Sequence, residues 1–310
     1  YNMIDAALYS LMLLPRQIYE LFPLVALVGT ILGVGSLASS NELTVLRAAG
    51  VSIKRLAMAV MKTGFVLILL VVVMGETLAP YLEKLAHGQR LAALAKSVSL
   101  NASDGLWARD GNDFININRL ISGGRASGIT RYRFDGLRLV AIDTALQGQY
   151  EENGWVVSPV VTTTFNDSQV VTREVTEERW SSTLTPEVIN VATMPPENLA
   201  LWELFDFVDY LHENGLAAQR YETAIWVRLF TPLATGGMIL LALPFVFGSL
   251  RSVTIGQRVM VGSLLGITFY LVNGMFSRLG LLYDIAPMIS AGTPTLLVYF
   301  VWFLLMRRVY

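Results

Sequence analysis

The chain has 310 residues, of which 54% are hydrophobic and only 15% charged, and its mean hydropathy is +0.52. A soluble domain carries about a quarter charged residues, so an ordinary soluble globule is excluded. The formal net charge of -1 hides a basic remainder and an acidic stretch between Tyr81 and Thr223, and the lack of cysteine excludes disulfides, thiolate metal sites and cysteine nucleophiles.

Crossing the hydrocarbon core as a helix takes about 20 apolar residues, because backbone polar groups in lipid must be satisfied within the segment. The first such stretch is Leu21 to Ala38, where Gly29 and Gly33, with Gly35 nearby, have the GxxxG spacing that permits close helix approach. Next, Ser39 and Glu42 stand at capping-box spacing, Leu43 and Leu46 share a face, Arg47 follows, and Gly50 is placed as a stop. This predicts a short helix at about 40–50. It either lies on the membrane surface or docks a partner, offering Glu42 to a basic residue. The second span is Leu56 to Gly75, with Lys62 placed to snorkel. Glu76 at its end reads as interfacial, since no second buried acid accompanies it to form a relay. Beyond it, Lys84, His87, Arg90 and Lys96 recur along a helix-like stretch. They form either a solvated face or a ledge for an anionic lipid headgroup, because guanidinium and ammonium groups suit phosphate.

From about Leu106 to Thr183 the period changes to two. Ile115 and Ile117 alternate with Asn116 and Asn118, and Thr130, Tyr132 and Phe134 alternate with Arg131 and Arg133. Turns are marked at Asp110-Gly111, Asp135-Gly136, Asn153-Gly154 and Asn166-Asp167-Ser168. These half-buried strands predict a meander or a jelly-roll-like sheet. An amphipathic helix follows, with Trp202, Phe205, Val208 and Leu211 on one face, Asn198 near its start and Gly215 placed to end it.

Three further spans are Ile225 to Gly248, with Arg228 near enough to an end to snorkel, Val259 to Ser277 and Ile285 to Met306. The fourth span carries Ile267, Phe269, Tyr270 and Phe276, suited to helix packing or to an acyl-chain wall. The chain thus divides into a membrane part (1–80), a sheet domain with a flanking helix (81–200), an amphipathic helix (201–223) and a second membrane part of three helices (224–310). Arg47, Lys54, Arg55, Arg251, Arg258, Arg307 and Arg308 lie in loops or ends on one side of five spans, which makes that side cytoplasmic and the insert external. The amino terminus then also lies outside. A sixth helix is therefore expected ahead of Tyr1.

Two isolated histidines do not make a zinc site, and no glycine-rich loop ending in Lys-Ser or Lys-Thr is present to cradle nucleotide phosphates. No catalytic constellation is expected. ATP-driven work would need a partner subunit. Two classes of function stay open on these residues: a mechanotransmitting or sensory protein whose external sheet binds a protein, and an ion-coupled transporter. The lack of paired buried acids counts against the last.

Phe22-Pro23 with its glycine-rich span, Ser40-Asn41-Glu42-Leu43-Thr44 through Ala49-Gly50, Glu76-Thr77-Leu78-Ala79-Pro80 and Phe247-Gly248-Ser249-Leu250-Arg251-Ser252-Val253 resemble the LptF/LptG permease family of the lipopolysaccharide exporter. Gly105-Leu106-Trp107 and the segment from Tyr210-Leu211 to Arg220-Tyr221 also fit. Leu250 to Val253 and Gly256 to Val259 look like the LptG side of the family. The resemblance implies a six-helix bundle in the bacterial inner membrane with an inserted periplasmic β-jelly roll. It implies as partners an LptF-like permease, an LptB-like ATPase dimer that holds the ATP and Mg, and an LptC-like membrane-anchored bridge protein. No cofactor is expected on this chain, and the partners include lipopolysaccharide and membrane lipid but no nucleic acid. By position, Glu42, with Leu43, Leu46 and Arg47 around it, corresponds to the coupling helix facing the ATPase. His87 and Arg90 correspond to headgroup contacts, although histidine departs from the family's residue. Ile267 and Tyr270 correspond to a hydrophobic cavity wall, extended here to Phe269 and Phe22. A lipid route inside the sheet would be lined by Ile115, Ile117, Tyr132 and Phe134, subject to the strand register.

Overall fold

The computed structural model describes residues 3–95, 105–121, 124–151, 154–166, 169–192, 194–247 and 253–309. It divides into two compact units, one of residues 1–94, 196–204 and 219–310, the other of residues 95–195 and 205–218.

The first unit is helical. Helix α1 (Met3–Ser39) leads to the short α2 (Glu42–Ala48) and then to α3 (Ile53–Val73), which continues through a π-turn (Met74–Leu78) into α4 (Ala79–Ala95). Five helices are long and apolar enough to cross a membrane: Asp5–Ser39, Ile53–Ala86, Gln219–Phe247, Ile255–Leu282 and Pro287–Arg307. This is a multi-pass membrane protein. The first four spans are longer than their apolar cores predict, because the flanking residues continue the helix, while the fifth begins at Pro287, two residues after the expected Ile285. The unit boundary at 94/95, rather than near residue 81, follows from the same continuity.

Among the described residues, α7 (Gln219–Phe247) is the central helix, packing on α1, α3, α8 (Ile255–Leu282) and α9 (Pro287–Val309). Leu27 and Ile31 of α1 meet Met238, Leu241 and Ala242 of α7 and Val298 of α9 in one buried cluster. A second cluster joins Val34 and Ala38 to Leu243 and Val246, and it includes Leu43 of α2. Ser52 accepts the Arg55 N–H at the start of α3, and Thr254 and Gln257 form a reciprocal capping box at the start of α8.

Close approach occurs at other glycines than the expected pair. Nothing lies within 4 Å of where a Cβ would stand on Gly29 or Gly33, whereas one on Gly35 would meet Arg258 Nη1 at 3.0 Å. Arg258 is not a surface loop charge: it is 2% exposed and donates from Nη1 to the Gly35 carbonyl at 2.6 Å.

The second unit is an antiparallel meander. Strands β1 (Leu106–Asp110), β2 (Asp113–Ile121), β3 (Arg125–Asp135), β4 (Arg138–Glu151), β5 (Gly154–Phe165) and β6 (Val170–Val175) pair in sequence order, and β7 (Glu178–Ser181) also pairs with β5. Gly111 and Gly136 adopt positive φ in the expected hairpins. Gly154 opens β5, while Asn153, Asp167 and Ser168 lie outside the described residues. Helix α5 (Pro186–Ala192) follows the sheet.

Helix α6 (Leu201–Glu213) has its first turn in the helical unit and the remainder in the sheet unit. Gly215 ends it as expected, with φ +62 and Leu216 N–H bonded back to Leu211. Its buried face is rotated from the predicted one. Leu204, Phe207, Val208 and Leu211 are buried, while Trp202 and Phe205 are exposed. The helix starts at Leu201, as expected, and its start is capped by Glu203, which accepts the Ala200 N–H at 3.0 Å, rather than by Asn198.

Candidate functional site

A cavity of about 630 Å³ opens in the helical unit among α1, α7 and α8. Its walls are apolar, with Leu21 and Leu24 from α1, Val227 and Phe230 from α7, and Phe269 and Tyr270 from α8. One end is closed by helix contact, since a Cβ on Gly266 would stand 2.6 Å from Leu24 Cγ. Charged residues are also among the lining: Arg16, Arg220, Arg278 and the buried Arg228, with Glu20 and Glu197. Arg16 Nε donates to Glu20 Oε1 at 2.8 Å one turn on, while the Arg220 and Arg278 side chains are exposed. The arrangement can hold an apolar chain along its wall and an anion beside its arginines.

Of the residues expected at a lipid wall, Phe269 and Tyr270 line this cavity and Ile267 and Phe22 do not. Ile267 shares a helix face with Tyr270 but lies one turn nearer the closed end, and it is 48% exposed. Phe22 is turned away between two lining residues, Leu21 and Pro23. The side chains of His87 and Arg90 lie outside the described residues, although both positions belong to α4. Arg16, Arg220 and Arg278 were not anticipated. Arg16 precedes the first apolar run and Arg220 and Arg278 flank others, so no local pattern links them.

Arg228 does not snorkel. Its side chain is 4% exposed, and Nη1 lies 3.2 Å from Glu76 Oε2. Burial of an unpaired guanidinium would cost several kcal/mol, and Glu76 supplies the counter-charge that makes the position tolerable.

The short helix α2 is anchored by one residue. Leu43 is 4% exposed in the cluster with Val34, Ala38, Leu243 and Val246, whereas Val45 and Leu46 are exposed, as are Glu42 and Arg47. The expected capping box is not formed. Ser39 remains in α1 and bonds to the Ser36 carbonyl at 2.9 Å, while Asn41 takes a left-handed conformation at the helix start. Ser40 Oγ donates instead to Glu42 Oε1 at 2.8 Å. The outcome is a docked helix with one apolar anchor and an accessible mixed surface.

In the sheet unit, the expected lining separates onto two faces. Phe114 pairs with Tyr132 and Ile115 with Arg131, so Ile115 and Ile117 lie on one face and Tyr132 and Phe134 on the other. Ile115 and Ile117 are 5% and 3% exposed. Tyr132 stacks on the exposed Trp107 at 5.5 Å, and Phe134 meets Phe114 edge-on at 5.6 Å. Strand alternation suggested the reverse for the arginines. Arg131 turns inward because Asp143, fully buried, accepts from it at 2.9 Å, and because its guanidinium lies over the Trp180 ring at 4.2 Å. Arg133 Nη2 donates to the other Asp143 oxygen at 3.1 Å. Nearby, burial pushes the Asp113 carboxyl above its ordinary range, partly opposed by Arg131 and Arg133. A void of only about 20 Å³ remains beside Ile115, Ile117 and Trp180. That is room for about one water molecule.

The profile of the lipopolysaccharide export system permease LptF/LptG family matches residues 1–308. The chain belongs to this family. Lipopolysaccharide export system permease protein LptG of Haemophilus influenzae is 33% identical over 312 residues, covering 99% of this chain and 87% of the relative. Its counterpart from Escherichia coli K12 is 35% identical over 314 residues with the same coverage. Within this LptF/LptG member, the matched region contains all five spans, the α2 helix and the inserted sheet. The arginine-bordered cavity and the filled sheet interior are therefore features of a permease chain.

Proposed function

We propose that this chain is the membrane-embedded subunit of a lipopolysaccharide export machine, driven by a partner ATPase and completed by a second permease subunit. The observation that carries this reading is the cavity among α1, α7 and α8, apolar along its wall and bordered by Arg16, Arg220 and Arg278. Lipopolysaccharide has several acyl chains and an anionic headgroup. At about 0.8 kcal/mol per buried CH₂, taking those chains through water would cost on the order of tens of kcal/mol. The route must keep them covered.

Clefts of roughly 300–1,000 Å³ hold drug-sized molecules, so the 630 Å³ cavity accommodates only part of such a lipid. An LptF-like subunit facing α8 would supply the rest of the enclosure. Helix α2 offers Glu42, Val45, Leu46 and Arg47 to an LptB-like ATPase in the cytoplasm, with Leu43 transmitting force into the bundle. An LptC-like bridge would receive the lipid on the periplasmic side of the inner membrane. Movement of lipid inside the sheet unit requires its filled interior to open, which makes that step separate from extraction.

Photocrosslinkers placed at Tyr270, Ile117 and Trp107 of the assembled exporter test the reading. Capture of lipopolysaccharide at Tyr270 before ATP is added is expected, and its absence overturns the extraction role. Capture at Ile117 should require ATP. No capture at either Ile117 or Trp107 during turnover removes this sheet from the lipid path and leaves extraction standing.

A further inference from the structure

Glu76 sits in the π-turn Met74–Leu78, a one-turn widening of the helix of the kind that occurs at functional positions. The turn is held by close packing, since a Cβ on Gly75 would lie 2.3 Å from Tyr19 Cδ2. From there, Glu76 Oε2 accepts two hydrogen bonds, one from Arg228 Nη1 at 3.2 Å and one from the backbone N–H of Leu201 at 3.0 Å. Arg228 in turn donates from Nη2 to the Glu197 carbonyl at 2.8 Å. One ion pair between two membrane helices thus grips both a carbonyl and an amide of the same short stretch. Lys84, one helical continuation beyond Glu76, adds an ion pair to Glu203.

The gripped stretch is distinctive. Residues 196–204 belong to the helical unit, although the chain on both sides of them, 95–195 and 205–218, belongs to the sheet unit. Leu201 is also the first residue of α6, whose first free N–H groups need partners. Glu76 and Glu203 provide two of them. A tie needed for stability alone is served as well by apolar packing, whereas a desolvated ion pair fixes partners and geometry.

We infer that Glu76 is a positioning residue of the transport cycle: with Arg228 it forms a joint that sets the root of α6 against α7 and the end of α3. A change in the spacing of those two spans moves Leu201 with them, and α6 continues from Leu201 into the sheet unit. The step that the joint serves rests on the export reading above. Glu76 itself is not part of the cavity lining, although its partner Arg228 is.

The test uses the assembled exporter in lipid vesicles with an external acceptor for lipopolysaccharide. E76Q should lower delivery to the acceptor about tenfold, while ATP hydrolysis and photocapture at Tyr270 stay within about twofold of the parent. E76D, which keeps the carboxylate, should restore most of the delivery. Delivery by E76Q at the parent rate, or equal loss of delivery, capture and hydrolysis, overturns the joint. Failure of the parent itself to deliver lipid speaks against the export reading and not against the joint. A second measurement stands apart from transport. The chain has no cysteine, so spin labels at Y81C and W202C, both exposed positions, report only the introduced pair. A narrow distance distribution that broadens in E76Q is expected. Identical distributions in parent and variant overturn the proposal.

Discussion

The helical unit keeps a cavity of about 630 Å³ between its helices, while the sheet unit leaves about 20 Å³ beside its buried strands. Both units hide charged groups, but to different ends. In the sheet, Asp143 and Arg131 occupy the interior and help to fill it, and the more exposed Arg133 also pairs with Asp143. In the bundle, Glu76 and Arg228 pair within two spans, and Arg228 also borders the open cavity. The contrast extends to the helices. Helices α7 and α8 are both strongly apolar, yet 61% of an apolar 18-residue stretch of α7 is buried and only 11% of that of α8. The bundle is held together through α7. Most of the surface of α8 is exposed.

Three outcomes would break or sharpen this contrast. The largest effect is expected from Asp143→Ala, which leaves Arg131 and Arg133 facing each other without a counter-ion. Loss of one partner from a buried pair costs about 3–5 kcal/mol. Urea titration followed by tryptophan fluorescence should show the sheet unfolding early, and an unchanged midpoint would mean that the buried network does not hold the sheet interior together.

A smaller effect is expected from Gly274→Phe. Gly274 lines the bundle cavity, and nothing lies within 4 Å of where its Cβ would stand. The added ring should enter open space without unfolding the bundle. Binding of lipopolysaccharide to the purified exporter should fall about tenfold, equivalent to about 1.4 kcal/mol. Unaltered binding with unaltered stability would show that the cavity is not the lipid site.

The smallest effect concerns pH. Tyr210 donates to the Arg109 carbonyl at 2.6 Å, and burial, aided by the negative Asp110, pushes its phenol up to about 12. Its folded value lies above its ordinary 10.0, so its contribution is complete below pH 10 and is lost as pH rises through 12. Tyr210→Phe should cost about 0.5–1.5 kcal/mol at neutral pH and flatten the alkaline limb of the stability profile. A parent and variant with parallel alkaline limbs would place the loss elsewhere.

The five spans were legible because a membrane helix must carry its own apolar run and satisfy its own backbone; the ends of the first four were underestimated, and the fifth starts two residues late. The hairpins at Gly111 and Gly136 were legible for a similar reason, since their positive φ is a local demand. The candidate site was legible in part. Phe269 and Tyr270 stand within the predicted fourth span and do line the cavity, but Arg16, Arg220 and Arg278 come from three separate helices. The faces of the sheet were misjudged because each strand was read alone. Arg131 and Tyr132 exchange places once Asp143, twelve residues away on the neighbouring strand, draws the arginine inward.

Amino-acid order alone determined that the protein lives in a membrane, that a sheet interrupts its helices, and that no nucleotide phosphate loop accompanies them. Those properties depend on composition and on contacts within a few residues. Tertiary structure decided which face of each strand is buried, that Glu76 and Arg228 are partners rather than interfacial charges, and where space is left open. Each of these depends on groups distant in sequence meeting at hydrogen-bonding range, and burial makes such a meeting obligatory for a charge.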